Sequence, residues 1–110
     1  MLKRLKAARE AFVDVVEFVA ARTRSAPNAV FSGSVPYLML AGNLVAGWQL
    51  ARSLLIAETL AAAGTETTFM QAKIATARFY AEHILNKVPA VRDSIVDGAD
   101  SVTALSMESF

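Results

Sequence analysis

The sequence predicts an all-α fold: an antiparallel up-down-up bundle of three long helices with a short C-terminal tail, forming a single helical domain over residues 1–110. Three observations carry this reading. Apolar residues recur at spacings of three and four through residues 2–24 and again through 66–97, the period of a helix with one buried stripe. Residues 35–63, VPYLMLAGNLVAGWQLARSLLIAETLAAA, hold one cation (Arg52) and one anion (Glu58) and are otherwise mostly apolar or small. A helix apolar nearly all round must be enclosed on most sides. Turn-forming residues separate the three segments, at Ser25–Asn28 and at Gly64.

The first segment places Leu5, Ala8, Phe12, Val15 and Val19 on one stripe, with Arg9, Glu10, Asp14 and Glu17 turned mainly to water. Ser25-Ala26-Pro27-Asn28 breaks it, and apolar residues resume at Ala29. Pro36 lacks an amide hydrogen and its ring clashes with the carbonyl four residues back, so a kink is expected there, or a helix starting with Ser34 as its N-cap. The second segment ends at Gly64, the residue best suited to a left-handed cap. Thr65-Glu66-Thr67-Thr68 then supplies hydroxyl N-caps for a third helix, antiparallel to the second. Along that helix Ile74, Ala77, Ala81, Ile84, Val88, Val91 and Ile95 make a continuous seam, faced by Leu54 or Leu55. Arg78 and Glu82 are spaced to pair, and Pro89 is expected to bend or restart the helix. After Gly98, the tail residues Val102, Leu105, Met107 and Phe110 are expected to fold back on the bundle.

Composition narrows the function. A 55% apolar share with 19% charged residues is high for 110 residues, since small domains have much surface per volume. Some of that apolar surface is expected to meet a partner. The net charge of +1 offers nothing to a polyanion, so no nucleic-acid partner is expected. Basic residues concentrate in 1–24 and acidic ones in 65–110, a split that favours helix-to-helix attraction. Without cysteine there are no disulfides, thiolate metal sites or cysteine nucleophiles, and a cytoplasmic address is compatible. Val35–Ala51 is uncharged and near the lower length limit for spanning a bilayer. Asn43 and Gln49 inside it would be costly there, so a buried helix is favoured over insertion.

Candidate catalytic and metal-binding groups are few. His83 is the only histidine, and Glu82 beside it points elsewhere around the helix, so the pair is a poor acid–base couple. Asp93, Asp97 and Asp100, near Lys87 and Arg92, read as a solvated helix end, not a calcium loop. No catalytic, cofactor-binding or metal-ligating residue is assigned. The candidate site is an interface on the second helix: Tyr37 and Trp48 as aromatic anchors, with Gly42 and Gly47 admitting a neighbouring backbone. A chain carrying such a surface is expected to be a homo-oligomer or to dock on a larger body.

Val35-Pro36-Tyr37-Leu38 leading to Val45-Ala46-Gly47-Trp48, then AKIATARFYAEHIL at 72–85 and the ending Ile95…Gly98-Ala99…Ala104-Leu105…Phe110, resemble one known module. It is the C-terminal helical domain of the longer bacterial acyl-CoA dehydrogenases, the acetyl-CoA dehydrogenase-like group that includes 3-methylmercaptopropionyl-CoA dehydrogenase-like enzymes. The likeness covers 35–110 well and 1–34 loosely. Such enzymes are flavoproteins in which a glutamate takes the α-proton of an acyl-CoA thioester and FAD accepts the β-hydride. The resemblance places the base and the flavin contacts in upstream domains, so it implies no catalytic residue and no cofactor in this chain. Arg78, Tyr80 and Glu82 match its pattern without carrying a catalytic role. The implied function is that of a structural and assembly domain of such an oxidoreductase, either a fragment, the product of a truncated gene or a split subunit. Its partner would be the dehydrogenase body or a second copy of itself. The alternative is a small membrane-associated helical protein, with residues 35–56 inserted and the basic N-terminus held at an anionic surface.

Overall fold

Helix α1 (Leu2–Arg22) leads through the short α2 (Pro27–Phe31) into α3 (Ser34–Ala62), the longest element of the computed structural model, which describes residues 1–110. Next come α4 (Thr67–His83), a 3₁₀ turn (Leu85–Lys87), α5 (Val88–Val96), α6 (Ala99–Val102) and a last 3₁₀ turn at Met107–Ser109. The fold is all-helical, with no strand.

Local chemistry explains most of the boundaries. Pro27 opens α2 at a position where the missing N–H has no helical partner to lose. Pro36 likewise falls in the first turn of α3, which therefore needs no kink; Gly33 is the cap and Ser34 the first helical residue. At the far end, Gly64 adopts φ +79° while its N–H bonds the Ala61 carbonyl (3.0 Å) and the Thr65 N–H bonds the Leu60 carbonyl (3.0 Å). This reciprocal pair is the Schellman arrangement, which closes a helix at a left-handed glycine. The hydroxyl caps expected for α4 are not used. Glu66 occupies the cap position with φ 42°, and no side chain bonds the free amides.

The third predicted helix is two helices. Pro89 cannot donate to the Leu85 carbonyl, so α4 stops at His83 and α5 restarts with Pro89 in its first turn. The break shifts the phase of the seam by one residue. Leu85 is fully buried where Ile84 was expected, and Ile84 is left half-buried. Arg78 and Glu82 make no ion pair; Arg92–Asp14 and Arg22–Asp100 join elements, while Arg92 also pairs with Asp93 and Asp97 along its own helix. Hydrogen bonding to Asp93 chiefly holds the Arg92 guanidinium above its usual range, with Asp97 and Asp14 adding to it and burial opposing.

Two cores result. The larger gathers Ala8, Ala11, Val15 and Phe18 of α1 with Leu40, Leu85, Val88 and Ile95. Phe12, predicted to be buried, sits at its margin with its ring 5.9 Å from that of Tyr37. The smaller core joins Ala57 to Met70 and Ile74, with Leu54 and Leu60 against it, in a projecting α3–α4 hairpin. The tail does not fold back: every residue from Ser101 to Phe110 is exposed.

The consequence is an elongated body of 67 × 27 × 17 Å. Its radius of gyration is 18.4 Å, against about 13 Å for a compact chain of this length. Its accessible surface is 7381 Å², about 1,500 Å² above the expectation for a compact monomer of 11.8 kDa.

Candidate docking surface

Gly47 lies five positions after Gly42, so at 3.6 residues per turn the two project about 140° apart and do not share a face. Gly42 lies on the open side of α3 with nothing within 4 Å of where a Cβ would stand. Gly47 is buried, and a Cβ there would meet the side chain of Leu85 at 2.8 Å. Its close approach is spent within the chain, on the 3₁₀ turn, and not on a second backbone as the sequence reading expected. Tyr37 is likewise engaged internally, half-buried against Phe12. Trp48 is 51% exposed, with the Arg52 guanidinium 5.5 Å from its ring centroid.

The open side of α3 carries a longer surface than the four predicted residues describe. Val35, Leu38, Val45 and Ile56 are all more than half exposed and project within about 80° of one another, with Gly42 among them. At 1.5 Å per residue this strip runs about 32 Å. Gln49, Arg52 and Ser53 are the polar residues along it, the first two hydrogen-bonding each other. Trp48 and Leu55 form its edge. The signal for Leu38, Val45 and Ile56 was present in the sequence. They recur on the face opposite Gly47 once that glycine is assigned to the inside.

Around the Trp48 edge, α3 and the start of α1 enclose a groove of about 520 Å³. Leu2, Leu5, Leu44, Val45 and Trp48 form its walls, and Lys6 and Arg9 stand over it. No buried side-chain nitrogen or oxygen lacks a hydrogen-bond partner. His83 is exposed and stacks on Phe79, and no group of three acidic or histidine side chains is placed to hold a metal ion. No helix is long and apolar enough to cross a membrane.

One polar tie holds the surface in place. The Tyr80 hydroxyl donates to the Asn43 carbonyl (2.9 Å), pinning the end of α4 to the middle of α3. Burial pushes the Tyr80 phenol above its ordinary value. Because the folded pKa is the higher, the unfolded chain loses this proton first. The contribution is complete below about pH 10 and falls away as pH rises beyond it. Tyr80→Phe is expected to cost about 1 kcal/mol at neutral pH. It should also remove part of the stability loss above pH 10, measured by urea unfolding across pH. An unchanged alkaline slope in the variant would contradict this assignment.

Comparison with known proteins bears on the same helices. A family model described as acetyl-CoA dehydrogenase C-terminal like matches residues 1–106. The chain is 43% identical over 105 residues, 96% of its length, to a 3-methylmercaptopropionyl-CoA dehydrogenase of Ruegeria pomeroyi. It is 32% identical over 81 residues to a broad-specificity linear acyl-CoA dehydrogenase of Mycobacterium tuberculosis. The matched regions are 18% and 13% of those two proteins, so the chain spans under a fifth of the relatives it resembles. No solved structure matches it significantly.

Proposed function

Because the chain belongs to the acetyl-CoA dehydrogenase C-terminal-like family, we propose that it is the structural and assembly domain of an acyl-CoA dehydrogenase-like flavoenzyme, docked on the dehydrogenase body through the open side of α3. The observation that carries this is the apolar strip from Val35 to Ile56 on a chain with about 1,500 Å² of surface in excess. A stable protein interface takes about 800 Å² from each partner, which the excess covers. A strip of this length with so little charge is what a permanent partner covers and what a free monomer avoids.

The parent reaction is FAD-dependent α,β-dehydrogenation of an acyl-CoA thioester. The residues of this chain do not fit the flavin. The α1–α3 groove has aliphatic and indole walls, and no orphaned buried polar atom waits for the ring's hydrogen-bonding edge. Proton abstraction and hydride transfer therefore belong to the body, and the helical domain acts by holding that body in shape or in register with a neighbour.

The test uses the Ruegeria relative lacking the segment that matches this chain, with its flavin absorbance showing that the remainder is folded. The added chain is expected to bind it one-to-one at micromolar concentration in sedimentation velocity. Failure to bind a flavin-loaded body at high micromolar concentration would overturn the docking role.

A further inference from the structure

Two further apolar features are the α1–α3 groove, which meets that strip at Val45 and the Trp48 edge, and the tail. The tail presents Val102, Leu105, Met107 and Phe110 at 65–91% exposure. From Asp97 to Phe110 it carries three acids (Asp97, Asp100, Glu108) and no cation. The groove is its chemical opposite. Its walls are apolar and its rim basic, and the first ten residues hold Lys3, Arg4, Lys6 and Arg9 against Glu10 alone. Asp97 and Asp100 are already engaged, by Arg92 and Arg22, which leaves Glu108 as the acid among the apolar tail residues.

We propose that the tail of one copy occupies the α1–α3 groove of a second copy, with Leu105, Met107 and Phe110 against Leu5, Leu44 and Trp48, and Glu108 facing Lys6 and Arg9. Reach decides that the groove belongs to another copy. Asp100 is fixed beside Arg22, at the far end of α1 from the groove. From Arg22 back to Leu5 along the helix is about 26 Å. Leu105 lies five residues past Asp100 and extends at most about 18 Å from it. Within one chain the first anchor falls short. Across a two-fold axis each tail reaches the other's groove, and the exchange closes on itself without leaving a free site at either end. This pairing touches the strip at Val45 and its Trp48 edge alone, and it does not rest on docking to a dehydrogenase body.

Trp48 is the only tryptophan, so its emission reports on the groove. A dilution series of the full chain, followed by light scattering and fluorescence together, is expected to show Trp48 emission moving to shorter wavelength as the mass doubles. The double substitution Leu105→Asp with Phe110→Asp alters exposed tail positions alone. It should leave helicity unchanged, raise the dimer dissociation constant by more than about tenfold and hold Trp48 at the solvent-exposed wavelength. Lys6→Glu with Arg9→Glu should weaken pairing, and adding Glu108→Lys should restore part of it. Unaltered association in the tail variant would overturn the proposal, as would a wild-type chain that stays monomeric. Blue-shifted emission that is independent of dilution but lost in the tail variant would mean that the tail reaches its own groove, which also overturns it.

Discussion

Gly47→Val is expected to lower the melting temperature of the chain by about 4–24 °C, taking overpacking at about 1–3 kcal/mol and the usual sensitivity of a domain this size. The argument rests on a single contact. Even a Cβ at position 47 would lie 2.8 and 2.9 Å from the two methyl carbons of Leu85 and 3.2 Å from its Cγ. Leu85 has no exposed surface, so it has nowhere to swing. It is also the residue that the 3₁₀ turn delivers into the larger core, so displacing it loosens α5 as well. Helix propensity works the other way, since valine is a better helix former than glycine, but by only a few tenths of a kcal/mol. Packing wins.

Gly42 supplies the control within the same helix. It has no neighbour, so Gly42→Ala should stabilise the isolated chain by up to about 1 kcal/mol. Leu85→Ala alone should cost about 2–5 kcal/mol through the cavity it leaves. If the clash is with Leu85, combining Gly47→Val with Leu85→Ala should cost clearly less than the sum, because the new methyls enter the vacated space. Denaturant midpoints for the four proteins close the cycle. Strict additivity would mean that the Gly47 penalty arises elsewhere.

These two glycines show what was legible and what was not. The helical period, the Gly64 cap and the restart at Pro89 are local events, written in residues next to one another. The identity of the inner face of α3 is not local. With Arg52 and Glu58 as its only charges, the helix offers no polar stripe to mark the outside, so residue type groups Gly42 with Gly47 where their projection separates them. In α1 the error was smaller. Ala8 and Val15 sit deepest as the stripe predicts, but Ala11 and Phe18 join them in place of Phe12 and Val19, and the Phe12 ring lies at the edge against Tyr37. The seam of α4 and α5 failed at Ile84 for a different reason. Its spacing is unbroken across a point where the backbone cannot remain helical, and the break hands the buried position to Leu85. The tail departs from expectation because four apolar residues suggest burial without saying against which surface.

Charge placed on the outer strip should separate docking from folding most sharply. Leu38 and Val45 are 73% and 56% exposed, so Leu38→Asp with Val45→Asp removes little packing within the chain. Aspartate is a poorer helix former than either residue it replaces, by a few tenths of a kcal/mol each. The helical signal of the isolated chain should therefore persist. Against a dehydrogenase body the same pair would put two carboxylates where the interface is dry, each losing its water without a partner. Central interface positions typically cost 2 kcal/mol or more when disrupted, so the two together should weaken binding by more than about 100-fold. Arg52 does not rescue them, since its guanidinium lies over the Trp48 ring and bonds Gln49. Titration of the variant into the flavin-loaded body, with circular dichroism of the variant alone beside it, reads both quantities. Binding within threefold of the unmodified chain would show that the body is held by another face, and α4, with Phe69 and Phe79 exposed, would be the next to probe.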